Sequence, residues 1–254
     1  QHGCRCTPQC GNRAGRERDL NRIGAFLLAG AAVAMLAAPA GAEKRRRPAG
    51  PGTANPSELI ATEIAFARAA REDGQWTAFR KFADDEAVMF VPQPVMAKDW
   101  LKGQQDPAQP VQWEPYQVWM SCDGTLGVTK GAWHRPDGSV GYFTTIWKQQ
   151  KKGEYRWVLD QGDALSEPLV KPDWLSASVA DCPQRGSGPP PHSGNEDREK
   201  RREAGMTGYG QADDGTLRWS YKVSPDNSRV LSVYLRKSGS MNEVLSSSVA
   251  GQAN

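Results

Sequence analysis

Apolar positions recur at helical spacing in the first part of the folded region and alternate later, with the change of period near Val111. Leu59, Ile64, Phe66, Ala67 and Ala70 form a stripe that predicts a helix, with Ser57 as its N-cap candidate, Glu58 in the first turn and Gly74 at its end. Trp76, Phe79 and Phe82 continue as a second, shorter helix. Residues 87–91 read as a strand ended by Pro92 and Pro94, and 97–102 as one or two further helical turns. From Val111 the texture is that of strands, 111–121, 126–134, 140–150 and 155–160, separated by Asp123-Gly124, Pro136-Asp137-Gly138 and Lys152-Gly153. Within the third of these, Phe143, Thr145 and Trp147 point one way and Tyr142, Thr144 and Ile146 the other. Both faces therefore need cover, one from the helices and the other from a partner or from the C-terminal segment.

The fold class expected is α+β: N-terminal helices on a curved antiparallel sheet, a cystatin-like cone, plus a small C-terminal β segment. Residues 43–56 read as a linker, 57–182 as the main domain, and 183–206, rich in Gly, Pro and charge, as a flexible connection. Strands at 217–223, 229–237 and 243–249 suggest a three-stranded meander within 207–254, too thin to stand alone and so expected to dock.

The first 42 residues read as an export signal. Arg22 precedes an apolar run, 23–38, and the small-x-small triplet Ala40-Gly41-Ala42 follows, so a secreted or periplasmic protein cleaved near Ala42 is expected, without a stable membrane anchor. The stretch before Leu20 fits this pattern poorly, and a true start near Leu20 is expected. His2, Cys4, Cys6 and Cys10 lie too close together in a Gly- and Arg-rich stretch to predict a zinc site. Lys44-Arg45-Arg46-Arg47 reads as a solvated tail. Beyond the signal stand Cys122 and Cys182, which an oxidising compartment would allow to pair or which stay separate thiols.

Composition narrows the partners. Eight of the nine tryptophans fall between Trp76 and Trp174, which marks the core region. Five of the 32 Lys and Arg and two of the 29 Asp and Glu lie in residues 1–42, so the rest of the chain is balanced in charge. Such a chain lacks the basic surface that nonspecific nucleic-acid binding requires.

Chemistry is sparse. No Gly-x-Ser-x-Gly elbow, His-Glu-x-x-His helix or phosphate-cradling Gly loop occurs, which gives no ground for a metal or nucleotide cofactor. His134, beside a hairpin, could act as a base with Asp160 or Asp163. Asp84 and Asp85 are adjacent where a strand begins, so their side chains diverge and solvation explains them better than paired catalysis. Trp113, Trp119, Trp133, Trp147 and Trp157, with Tyr142 and Tyr155, supply either core or the wall of an apolar pocket; Trp119, Trp133, Tyr142, Trp147 and Trp157 are the pocket candidates carried forward.

Over about residues 57–165 the chain resembles the nuclear-transport-factor-2-like superfamily, which includes the ketosteroid-isomerase and SnoaL-like groups. The resemblance rests on the order of elements and on Glu63-Ile64-Ala65-Phe66-Ala67, Phe82-Ala83-Asp84-Asp85, Gly131-Ala132-Trp133, Trp147-Lys148-Gln149-Gln150 and Trp157-Val158-Leu159-Asp160. It implies a sheet and helices enclosing a pocket open at one end, in a superfamily of isomerases, dehydratases and noncatalytic modules. The isomerases carry a catalytic carboxylate on the first strand just before a proline. Here Phe90 and Val91 precede Pro92, and neither can abstract a proton, so only a relocated base would serve. The leading expectation is an exported noncatalytic domain that binds a small apolar ligand or a protein partner, with a homodimer open. The alternative is an isomerase- or dehydratase-like enzyme on a small hydrophobic substrate using His134, Tyr142 and Asp160, which would have to converge in one cavity. A third reading is a structural envelope protein whose C-terminal strands dock it.

Overall fold

The computed structural model describes residues 53–183 and 207–251. The export segment, its cysteines, the basic run and nearly all of the 183–206 connection lie outside the described residues. Two helices open the domain, α1 (Pro56–Glu72) and α2 (Gln75–Phe82), followed by β1 (Ala83–Phe90), β2 (Pro94–Met96) and the short α3 (Ala97–Leu101). The strands β3 (Gln112–Met120), β4 (Leu126–His134), β5 (Val140–Gln149) and β6 (Tyr155–Leu165) form an antiparallel meander, and β7 (Ser176–Val179) follows. These strands make one seven-stranded sheet in the order β2-β1-β6-β5-β4-β3-β7. The sheet is mixed rather than purely antiparallel, because β1 joins β6 and β7 joins β3 in parallel. The helices-on-curved-sheet α+β arrangement is the one expected.

Boundaries shift in ways local chemistry explains. Helix α1 begins two residues early, with Asn55 rather than Ser57 at its N-cap, because Pro56 has its φ preset for the first helical turn. Strand β1 begins at Ala83, four residues before the apolar run, its first half half-buried or exposed. Gly74, at the N-cap of α2, has no side chain to offer, and Asp106 replaces it from a distant loop: its carboxylate accepts from the N–H of Trp76 (2.5 Å) and of Thr77 (3.0 Å) and from the Thr77 hydroxyl (2.6 Å).

One face of the sheet packs on the helices. Leu59, Phe66, Ala69 and Ala70 of α1 meet Val118, Met120, Trp147 and Trp157, and Phe66 sits among the rings of Phe79, Phe82, Trp113 and Trp147 at 4.8–5.9 Å. The opposite face is covered by a second sheet, from β8 (Thr207–Gln211), β9 (Leu217–Val223), β10 (Arg229–Lys237) and β11 (Ser240–Val249), in the order β11-β10-β9-β8. It has four strands where three are expected. Leu217, Leu231, Val233, Leu235 and Leu245 pack against Trp119, Leu126, Val128, Ile146 and Leu159, each such side chain contributing roughly 1.5–3 kcal/mol on burial. The alternation predicted for β5 holds: Phe143, Thr145 and Trp147 face the helices, and Tyr142 and Ile146 face the second sheet. Among the described residues no helix is long and apolar enough to cross a membrane.

Cys122 and Cys182 form a disulfide with a Cα separation of 5.1 Å. They follow β3 and β7, neighbouring parallel strands, so the bond staples the edge strand to the sheet. Their 60-residue separation makes reduction cost about 4 kcal/mol on the loop-entropy argument. Urea unfolding with and without dithiothreitol is expected to show that difference.

Candidate functional site

Between the helices and the sheet lies a cavity of ≈ 390 Å³. Its apolar wall is made by Phe66, Trp76, Phe79, Phe90, Trp113 and Phe143, contributed by α1, α2, β1, β3 and β5. Trp133 adds a further wall because β5 has Gly141 opposite it; a Cβ there would lie 2.3 Å from the indole ring. The Trp133 indole N–H donates to the Tyr142 carbonyl (2.9 Å), and Arg135 stacks over its ring at 4.8 Å. Polar lining groups are few: Gln75, Gln161, Asp163, Arg135 and, on β6, Asp160.

Asp160 ends a polar row that crosses the sheet. Thr129 on β4, Thr145 on β5 and Asp160 on β6 are successive cross-strand partners, so their side chains stand side by side on the inner face. The Thr145 hydroxyl donates to Asp160 Oδ2 (2.7 Å). At the other end the fully buried Glu63 of α1 accepts from the Thr129 hydroxyl (2.5 Å), from the Trp113 indole N–H (2.7 Å) and from the Trp147 indole N–H (3.0 Å). Burial pushes the Glu63 carboxyl up, opposed by those three donors. Burial pushes Asp160 up to about 7, opposed by Thr145 and reinforced by Glu63. Two like carboxyls enclosed together do not ionise equally, and Glu63, with three donors against one, ionises first. Asp160 is thereby neutral below about pH 7, with part of its surface open to the cavity it lines.

Of the anticipated pocket residues, only Trp133 lines the cavity. Trp119 and Tyr142 project from the opposite face, Trp119 into the core between the sheets and Tyr142 with its hydroxyl accepting from Ser247 (2.9 Å). Trp147 and Trp157 are fully buried beneath the helices, Trp157 donating to the Phe79 carbonyl (3.2 Å). The proposed convergence of His134, Tyr142 and Asp160 does not occur: His134 is exposed at the end of β4, Tyr142 faces the second sheet, and Asp160 alone reaches the cavity. Asp163 also lines it, without His134. Asp84 and Asp85 diverge, Asp84 accepting from Gln150 (3.0 Å) and Asp85 pairing with Lys98 (3.0 Å). At the position that carries the isomerase carboxylate, Val91 contributes only apolar wall. The carboxyl comes instead from the adjacent strand, where Asp160 is the partner of Met89. Sequence reasoning missed Trp76 as a wall and Glu63 as a site residue, although Glu63 lies at the i+4 position from Leu59 in the apolar stripe. Among the described residues no cluster of three or more His, Cys, Asp or Glu is disposed to hold a metal.

No protein-family model and no curated protein matches the sequence. Among solved structures the chain is similar to a protein provisionally assigned as an aromatic ring hydroxylase from Novosphingobium aromaticivorans, at 14% identity over 44% of this chain and 89% of that one, with a TM-score of 0.33. It is similar also to a conserved protein from Planctomyces limnophilus (12% identity, 43% and 97% covered, TM-score 0.35). A third is a nuclear transport factor 2-like superfamily protein from Salmonella enterica serovar Typhimurium (13% identity, 45% and 93% covered, TM-score 0.34). The likeness is one of fold over less than half of this chain, and no activity is taken from it.

Proposed function

We propose that this is an exported domain that binds a small, largely aromatic ligand in the cavity, without catalysis, a polar group of the ligand meeting Asp160. The observation that carries the reading is an aromatic-walled cavity with the Asp160 carboxyl at its inner end, kept neutral by burial up to about pH 7. A neutral acid there can donate a hydrogen bond to the ligand without the cost of an enclosed unpaired charge. The side chain that Asp160 touches is the Thr145 hydroxyl, which is neither an acid nor a base near neutral pH, and this favours binding over proton shuttling. Titration with 2-naphthol, followed by tryptophan fluorescence, tests the proposal. Val111→Trp, which adds bulk to the wall, is expected to weaken binding at least roughly tenfold, since filling a pocket removes the apolar contact that drives it. Equal affinity in the two proteins would sink the cavity as the site.

Export is supported by the Cys122–Cys182 bond, which suits an oxidising compartment. The intact mass of the protein produced with its N-terminal segment is expected to correspond to a chain beginning at Glu43. Retention of the 23–38 run would rule that processing out.

A second reading rests on the same carboxyl. At about 7, Asp160 has an acidity suited to a general acid or base near neutral pH. Deuterium incorporation next to the carbonyl of cyclohexanone, above the protein-free rate and lost in Asp160→Asn, would favour an enzyme. No excess exchange is expected for a binding domain.

A further inference from the structure

The four C-terminal strands repeat four strands of the large sheet. Asp123-Gly124-Thr125-Leu126 joins β3 to β4, and Asp214-Gly215-Thr216-Leu217 joins β8 to β9. The next turns also match, Pro136-Asp137-Gly138-Ser139 between β4 and β5 and Pro225-Asp226-Asn227-Ser228 between β9 and β10. Strand order is the same, β6-β5-β4-β3 in one sheet and β11-β10-β9-β8 in the other.

The matching turns are built alike. In the first pair, Asp123 Oδ1 accepts from the Thr125 N–H and hydroxyl (both 2.9 Å), and Asp214 Oδ1 from the Thr216 N–H (2.9 Å) and hydroxyl (2.8 Å). The glycine that follows has φ +75° in one turn and +68° in the other, a backbone state that side chains disfavour. Thr125 and Thr216 carbonyls accept from Gln149 (2.9 Å) and Arg236 (2.8 Å), which occupy corresponding places near the ends of β5 and β10. In the second pair, Asp137 and Asp226 each accept from the N–H and hydroxyl of a serine two residues on. Favourable turn chemistry could recur by itself, but it does not explain how the two sheets meet.

They meet reciprocally. The Asp123 N–H donates to Asp214 Oδ2 and the Asp214 N–H to Asp123 Oδ2, both at 2.9 Å. The Cys122 N–H donates to the Thr216 hydroxyl (2.9 Å), and the corresponding Asp213 N–H donates to the Thr125 hydroxyl (3.0 Å). Each residue of one turn makes to the other the contact it receives, which is the signature of a two-fold interface between identical surfaces. Leu126 and Leu217, each just after its motif, enter one shared core, as do Leu159 and Leu245 on the last strand of each set. The copy is partial: β9 has seven residues against nine in β4, and the described residues place no helix between β7 and β8.

We infer that β8–β11 form a structural repeat of β3–β6 docked on it about a local two-fold, so the outer face of β3–β6 is a self-association surface already filled within the chain. The occupant that this face fits, once freed, is the same face of a second copy. The full chain is therefore monomeric, and unseating its last four strands converts it into a closed dimer rather than an open aggregate.

The test is native mass spectrometry and light scattering on the full chain and on Leu231→Asp/Leu235→Asp, whose changes lie wholly in the second sheet and leave Trp119, Leu126, Val128, Ile146 and Leu159 untouched. A monomeric wild type and a dimeric variant that keeps its circular dichroism are expected. A wild-type dimer, a folded variant that stays monomeric, or open-ended aggregates would overturn the inference. Should the double variant unfold, Thr125→Val and Thr216→Val decide, each removing one half of the reciprocal contact. Hydrogen exchange at both turns should then accelerate together, by factors of about ten in either variant, as expected of one cooperative unit. Acceleration confined to the substituted turn would show two unrelated hairpins.

Discussion

Glu63→Ala is expected to lower the stability of the folded chain by about 3–5 kcal/mol, because three buried donors lose their acceptor at roughly 1–3 kcal/mol each while the cost of enclosing a carboxylate disappears. Trp113 and Trp147 have no second way to satisfy their indole N–H groups fully; Trp147 alone retains a contact to the Thr129 hydroxyl (3.0 Å). Glu63→Gln is milder, about 1–2 kcal/mol. Its amide oxygen can keep Trp113 while Thr129 turns its hydroxyl to accept from the amide nitrogen, leaving Trp147 bonded to Thr129. Urea midpoints of the three proteins check this order. An alanine variant as stable as wild type would mean that the carboxyl is not what organises the inner face.

The second large effect is a pH dependence. The folded-state acidity of Asp160 is raised to about 7 from 3.8, so its stabilising contribution is complete below pH 4 and is lost as pH rises through 7. Asp160→Asn, which imitates the neutral acid and can still accept from Thr145, removes that loss. The variant is expected to lie within about 1 kcal/mol of wild type at pH 4.5 and to exceed it by about 2–4 kcal/mol at pH 8.5. Comparing variant with wild type cancels the other carboxyls, several of which, such as Asp137 and Asp226, are held down by hydrogen bonds from nearby serines. Parallel stability curves for the two proteins would show Asp160 ionised in the ordinary range and would remove the neutral acid from the site.

The order of elements was legible because Gly74, Pro92 and the Asp-Gly and Lys-Gly turns punctuate it, and because β5 alternates large side chains on both faces. The sense of that alternation in neighbouring strands was not legible. Pairing slips between Pro115 and Gln117 on β3 and between Ile146 and Trp147 on β5, and each slip changes which residues share a level of the sheet. The β3 slip puts Trp119 on the face opposite Trp113, whereas Tyr142 faces away from the cavity by the plain alternation of β5. Short edge strands such as β2, β7 and β8 carry little pattern of their own and exist because a longer neighbour offers them hydrogen bonds. Glu63 was visible as the one carboxylate within an apolar stripe, but its three donors come from β3, β4 and β5, and only the fold brings them together. The repeated turns were present in the sequence at full strength; a self-comparison would have found them.

The central claim is that the cavity holds a small molecule, and native mass spectrometry of the full chain, taken from its own cell extract and compared with its denatured mass, addresses it most directly. The account predicts a one-to-one small-molecule adduct on the native protein that is lost on denaturation and absent from Val111→Trp. A bare native mass from the extract, unchanged after incubation with excess 2-naphthol, would contradict it.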